Sequence, residues 1–327
     1  METALTARPS IFVVRRMPDV VHARLEAHFD LTLNESDRSI TSTELAAAMT
    51  GHDGILLATG KKLDSSILEI PESRVRIIAN FGAGTDHIDL EAARRAGIVV
   101  TNTPDALTDA TADLAMMLIL MAARRAGEAE RLVRAGGWKG WGPLDMLGRG
   151  LDGKLLGIFG FGRIGQSLAR RALGFGMRIA YWSRTRAAPA VESALAAKHV
   201  DNPMQLAHEV DVLSLHLPGG LDTRHLVDAA MIAAMKPSAI LVNTSRGTVI
   251  DEGALAEALR DKRIAAAGLD VFEQEPKLSP GLLDLENVVL LPHIGSATIE
   301  ARTAMGLQAA ANLEAFFRGE EPPNRVV

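Results

Sequence analysis

Short apolar runs separated by stretches of helical spacing recur along the whole chain. Ser10 to Val14, Gly54 to Ala58, Val75 to Ala79 and Gly97 to Val100 are nearly continuous in Val, Ile, Leu and Ala. Runs of this length predict strands buried on both faces. Between them, Val20 to Phe29, Thr43 to Met49 and Asp89 to Ala96 space their apolar residues as helices do. A second series comprises Lys154 to Phe159, Met177 to Trp182, Asp211 to Leu215, Ala239 to Asn243, Ala265 to Asp270 and Val288 to Leu291. Such alternation predicts an α/β fold of two doubly wound parallel-sheet domains. Asp109 to Arg125 reads as a long helix between the two series with Thr108 as its N-cap. It leads into the Gly- and Trp-containing stretch Gly136 to Gly150. Ala301 to Phe317 is a further amphipathic helix, ended by Pro322-Pro323.

One junction carries a specific signal. Gly160-Phe161-Gly162-Arg163-Ile164-Gly165 follows the strand ending at Phe159 and precedes the helical pattern Gln166 to Leu173. A strand, a GxGxxG turn and a helix make a dinucleotide site: the glycines allow a tight turn and close backbone approach, and the helix N-terminus attracts the pyrophosphate. Because this loop lies near mid-chain, after a complete α/β unit, the cofactor domain reads as an insertion. The expected division is residues 1–103 as the first part of a substrate domain, 104–293 as the cofactor domain, and 294–327 returning to the substrate domain.

About twenty residues beyond the glycine loop, dinucleotide folds place an acid that binds the ribose 2′-hydroxyl of NAD. Here the strand ends Ser183-Arg184-Thr185-Arg186, and no acid occurs between Gly165 and Glu192. Two guanidiniums and two hydroxyls suit a 2′-phosphate. NADPH is therefore the expected cofactor, with Arg184 the principal contact and NADH the weaker alternative.

Composition narrows the partners. The 327 residues carry a formal net charge of −5 and form no basic stripe, which argues against nucleic acid. Cysteine is absent, excluding disulfides, thiolate nucleophiles and Cys-based metal sites, and no metal is expected. The segment Met1 to Pro9 lacks the basic and apolar regions of a secretory signal. Leu114 to Ala123, the most apolar helix-like run, is too short to span a membrane. A cytoplasmic enzyme acting on a small molecule is expected.

Three groups lie just beyond later strands, where open α/β sheets bind ligands. Arg246, in Asn243-Thr244-Ser245-Arg246-Gly247, suits a bidentate clamp on a substrate carboxylate. Gly268 to Pro276 supplies acids, among them Asp270, Glu273 and Glu275. His293, in Pro292-His293-Ile294-Gly295-Ser296, suits a proton donor. This set fits carbonyl reduction: as hydride reaches carbon, charge grows on oxygen and an imidazolium neutralises it. A carboxylate on the other ring nitrogen would raise the histidine pKa, so reduction should weaken as pH rises through it.

These pieces, together with Asn80-Phe81-Gly82-Ala83-Gly84-Thr85-Asp86 and Asn102-Thr103-Pro104, resemble the D-isomer-specific 2-hydroxyacid dehydrogenase family over nearly the whole chain. The resemblance implies a Rossmann cofactor domain inserted in a flavodoxin-like substrate domain. It implies that Arg246 binds the substrate carboxylate, that His293 is the acid/base and that Glu275 pairs with it, Glu273 being the competing acid. Phe81, Gly82, Ala83 and Gly84 are then substrate-binding. Asp270 is implied as a nicotinamide contact or an end-of-strand cap, and Thr111 as a cofactor neighbour or a helix-surface residue. His216 is implied to line the cofactor side without catalysis.

Val13 to Pro18, Leu107 to Asp113, Gly136 to Trp141 and Ser183 to Arg186 are similar to the glyoxylate/hydroxypyruvate reductase branch of that family. The branch implies reduction of these 2-ketoacids to glycolate and D-glycerate. It also implies a homodimer in which Trp141 closes the partner's site or packs in the interface. A broader 2-ketoacid reductase and a nucleotide-sensing corepressor on the same fold are the alternatives.

Overall fold

The computed structural model describes residues 8–58 and 61–327. The first seven residues of the N-terminal segment read above lie outside the described residues. The chain divides into two compact units, one of residues 1–107 with 296–327 and one of residues 108–295.

The first unit holds a five-stranded parallel sheet of β1 (Ser10–Val13), β2 (Asp30–Leu33), β3 (Gly54–Leu57), β4 (Ile77–Asn80) and β5 (Val99–Thr101), in the order β2-β1-β3-β4-β5. β3 and β4 are buried throughout, which is why they read as unbroken apolar runs. β2 lies at the edge and is largely exposed; its sequence Asp-Leu-Thr-Leu offers no such run, and the hydrophobic pattern does not mark it. Separate apolar clusters cover the two faces. Helix Ile299–Phe317 packs on helix Asp19–His28 and on β4. A two-pronged pair of Arg24 with Glu314 (2.7 and 2.8 Å) fastens the two helices. The chain end then bonds to β5, with the Val326 N–H donating to Val100 O at 2.7 Å.

The second unit is a seven-stranded parallel sheet of β6 (Leu155–Phe159), β7 (Arg178–Trp182), β8 (Ala197–His199), β9 (Val212–Leu215), β10 (Ile240–Asn243), β11 (Ala266–Leu269) and β12 (Val288–Leu290). Their order is β12-β11-β10-β9-β6-β7-β8. The chain moves outward from β6 through β7 to β8 and then returns to β9 on the other side of β6. That reversal makes the carboxyl end of β6 the switch point at which such sheets hold ligands. β8 is a three-residue edge strand, Ala-Lys-His, and like β2 it lacks an apolar run.

Helix Thr108–Ala123 belongs to this unit and packs on β10, β11, β12 and helix Arg163–Leu173. Two features of this region correct the sequence reading. Thr108 is the first helical residue and not an N-cap; the turn at residues 105–107 delivers the chain already curved, and the buried Thr108 Oγ1 has no hydrogen-bond partner. The helix also stops at Ala123 and does not run to Arg125. Arg125 adopts a left-handed conformation (φ 55°) and starts a separate helix, Ala126–Arg134. No helix among the described residues is long and apolar enough to cross a membrane.

Candidate active site

The glycine loop leaves β6 at the switch point. Gly160 has φ +88°, and a Cβ there would lie 2.4 Å from the His216 carbonyl oxygen, so a side chain is excluded twice. At Gly162 a Cβ would meet nothing within 4 Å, which leaves room in front of helix Arg163–Leu173. That helix has no side-chain cap, and its first internal bond runs from Gln166 N–H to Gly162 O (2.9 Å). Uncapped amides at a helix N-terminus facing open space fit the pyrophosphate of a dinucleotide. Phe161 points the other way: its buried ring stacks on Tyr181 with centroids 4.0 Å apart, so only its backbone borders the loop. His216, behind Gly160, is pushed down to about 4 by burial and is neutral near pH 7.

At the end of β7 the two arginines part company. Arg186 donates from Nε and Nη2 to Glu192, both at 2.9 Å, and Glu192 also accepts from Tyr181 Oη at 2.6 Å. Hydrogen bonds from Arg186 and Tyr181 hold the Glu192 carboxyl down to about 2. Arg184 is 69% exposed, and the Asp222 carboxylate lies 3.9 Å away, beyond hydrogen-bond reach. Its fork is the freer of the two to meet a phosphate. Ser183 and Thr185 flank it.

Beyond β10, a buried asparagine shapes the next loop. Asn243 accepts from Ser245 N–H (2.9 Å) and Ser245 Oγ (2.8 Å), and its own amide donates to Arg246 O at 2.8 Å. Arg246 Nη1 donates to Ser245 O at 2.8 Å. Gly247 then presses on the segment after β11: a Cβ there would lie 1.8 Å from the Phe272 carbonyl carbon. Neither backbone can yield without moving Arg246 or the acids after Phe272. Gly247→Ala is therefore expected to destabilise the protein by about 3 kcal/mol, the upper part of the usual overpacking range. A urea unfolding midpoint equal to that of the unaltered protein would rule this out.

The acids and the histidine follow. Glu275 Oε2 lies 2.8 Å from His293 Nδ1, and Glu275 Oε1 accepts from Phe272 N–H at 3.0 Å. Glu273 is engaged elsewhere, 2.8 Å from both Arg224 Nη2 and His225 Nε2. The hydrogen bond to Glu275 raises the His293 pKa against the opposing effect of burial. On Glu275 burial acts upward, but the bond to His293 and its charge outweigh it and hold the carboxyl low. The His293 side chain is 51% exposed, so its Nε2 edge is reachable.

Asp270 anchors the histidine loop. Its two carboxylate oxygens accept from Ile294 N–H and Gly295 N–H, each at 2.8 Å, and its carbonyl accepts from His293 N–H at 2.9 Å. The cap role weighed for Asp270 is thus present in the structure. Thr111 is buried, with its Oγ1 donating to Gly295 O at 3.3 Å, so it is not a helix-surface residue. It packs against the same loop.

In the first unit, two asparagines organise residues 81–84. Asn80 donates to Gly82 O (3.2 Å) and Gly84 O (3.0 Å), and Asn102 donates to Ala83 O (2.7 Å). Three consecutive carbonyls are thereby drawn to side chains of the same unit. Phe81 N–H is spent on Leu57 O at 2.7 Å. Sequence reasoning did not single out Asn80, Asn102 or Asn243 as organisers, although a polar amide directly at the end of an apolar strand is a readable sign of a shaped loop. Trp141 lies in the irregular stretch after helix Ala126–Arg134 and is 86% exposed. A cavity of about 560 Å³ opens at the other ends of β10, β11 and β12, lined by Met121, Ile240, Ala266 and Val288 among others.

A family model described as D-isomer specific 2-hydroxyacid dehydrogenase, NAD binding domain, matches residues 116–295. The chain is 47% identical over 323 residues to a glyoxylate reductase of Thermococcus litoralis, covering 98% of this chain and 97% of that one. It is 45% identical over 324 residues to a glyoxylate reductase of Pyrococcus furiosus, covering 98% and 95%. Among solved structures, the NADPH-dependent glyoxylate/hydroxypyruvate reductase of Sinorhizobium meliloti in complex with NADP and malonate superposes with a TM-score of 0.87 at 38% identity, covering 98% of this chain and 97% of that one. A glyoxylate reductase from Paecilomyes thermophila gives 0.86 at 34% identity, covering 98% and 99%. Likeness of this extent, running through both sheets and across the loops just described, makes the chain a member of the D-isomer specific 2-hydroxyacid dehydrogenase family.

Proposed function

We propose that this enzyme reduces glyoxylate and hydroxypyruvate to glycolate and D-glycerate, with NADPH preferred over NADH. The observation that carries the reading is the Glu275–His293 pair, held beyond the same sheet that presents Arg246 and the glycine loop. The names of the relatives at 44–47% identity support the choice of glyoxylate, and the Sinorhizobium protein supports hydroxypyruvate and NADP.

Gly160 to Gly165 would hold the pyrophosphate of the cofactor, and Ser183 to Arg186 its adenosine ribose end, with Arg184 the residue that would meet a 2′-phosphate. When bound, the nicotinamide supplies hydride to the carbonyl carbon. Arg246 takes the substrate carboxylate in a two-pronged grip, which fixes the face of the carbonyl. His293 Nε2 donates a proton to the carbonyl oxygen as negative charge develops there. Glu275, on Nδ1, orients the ring and stabilises its charged form before the transfer. Asp270 and Thr111 keep the loop that carries the ring in place. Trp138, Trp141, Leu144 and Leu147 are exposed within one short segment, which supports a homodimer that covers them.

Steady-state kinetics with glyoxylate, hydroxypyruvate and pyruvate, each with NADPH and NADH, test the reading. Turnover of none of them overturns it and favours a sensor; equal efficiency with pyruvate points to the broader reductase. Arg184→Ala is expected to lower the NADPH-to-NADH efficiency ratio by about tenfold, the loss of one charge-assisted phosphate contact. An unchanged ratio removes Arg184 from cofactor choice.

A further inference from the structure

Glu252 is a carboxylate where none is needed for solubility. It opens helix Glu252–Arg260, whose N-cap is Asp251, yet it is only 6% exposed. Its Oε1 accepts from the backbone N–H of Glu273. Glu273 lies two residues before Glu275 on the same loop. Burial pushes the Glu252 carboxyl up, and the neighbouring Glu273 and Glu275 carboxylates push in the same direction. A third acid buried beside two others is costly unless its hydrogen bonds repay it. The Glu273 bond goes to the segment that carries the partner of His293.

The rest of that segment is tied down to match. Phe272 N–H holds Glu275 Oε1, Lys277 N–H closes a turn on Gln274 O at 2.9 Å, and Arg224 and His225 hold Glu273. Gly247 blocks retreat toward β10. Arg224 and His225 meet the Glu273 side chain, whereas Glu252 takes hold of the segment's backbone.

We propose that Glu252 is a positioning residue for the reaction: by gripping the backbone of Glu273 it keeps Glu275 Oε2 on His293 Nδ1. This rests on the reading that His293 donates the proton. The charged groups facing His293 are Glu275, Asp270 and Arg246, and only the first depends on the Glu252 grip.

The test is the pH profile of glyoxylate reduction by the full-length enzyme with saturating NADPH. Glu252→Ala is expected to lower kcat about tenfold, as small misplacements of reacting groups do. It should also move the alkaline fall in rate to lower pH by about half a unit or more, because the imidazolium loses its carboxylate. KM for NADPH should stay within about twofold, since the glycine loop is untouched. Glu252→Gln, which keeps an acceptor for Glu273 N–H at the same reach, should restore most of the rate and the position of the fall. If the alanine variant does not fold, Glu252→Asp, polar but one methylene shorter, carries the same prediction at smaller size. Folded variants whose alkaline fall stays in place overturn the proposal and leave Glu252 a structural residue. Glu275→Gln separates the two levels: if it too leaves the fall in place, the His293 reading itself has failed.

Discussion

Replacing His293 by asparagine is expected to lower kcat for 2-ketoacid reduction by about 10²–10⁴-fold, the span of a positioned acid or base. Binding of NADPH should change little, because the phosphate loop and the end of β7 are built from other residues. The unaltered enzyme has a pH signature with a definite sign. The His293 pKa is raised, so the ring stays charged above its ordinary range and serves as donor there. Reduction should be level below that raised value and fall about tenfold per pH unit above it. Oxidation of the 2-hydroxy acid needs the neutral ring and should improve over the same window. Glu275→Gln should bring the fall to lower pH, since an amide accepts the Nδ1 hydrogen bond without the charge that favours imidazolium. A reduction rate that stays level into strongly alkaline solution would exclude His293 as the donor.

Loss of the guanidinium is the second large effect. Arg246→Leu is expected to reduce kcat/KM for glyoxylate by about 10²–10³-fold, as when one member of a desolvated charge pair is removed. Arg246→Lys keeps the charge but not the planar fork, and should recover only part of the loss. The control is a small aldehyde without a carboxylate. Because Arg246 acts on the carboxylate, the variant should lose its preference for glyoxylate over that aldehyde. If both substrates decline by the same factor, Arg246 serves the loop's structure and not the clamp. The Asn243 hydrogen bonds that shape residues 243–246 are independent of the Arg246 side chain, so the variant's backbone should be preserved.

The two arginines after β7 show how far a local pattern reaches. Arg184 and Arg186 look equivalent in sequence, both in a run without acids. Glu192, the first acid beyond them, folds back onto Arg186 and Tyr181, so half of the apparent positive charge is already matched. The acids after β11 behave in the same way. Glu273 and Glu275 are two residues apart, yet one meets Arg224 and His225 while the other meets His293. Proline after Glu275 singled it out only through the family resemblance.

The elements that escaped the hydrophobic pattern were those that do not bury both faces. β2 and β8 are edge strands with polar residues, and the left-handed Arg125 breaks a helix that composition alone would continue. Glu252 gave no sign of its place, since an acid in the first turn of a helix is ordinarily a solvated partner of the helix dipole.

By itself the amino-acid sequence determined the α/β class, the position of the phosphate loop and the stock of reacting groups, because apolar period, glycine spacing and side-chain chemistry are local properties. Only the tertiary structure decided which of those groups meet. The His293 partner lies 18 residues away along the chain, the amide that Glu252 grips lies 21 away, and the atoms that crowd Gly247 belong to another strand's loop. Such meetings follow from the order in which parallel strands stack, and neighbouring residues in the chain carry no record of it.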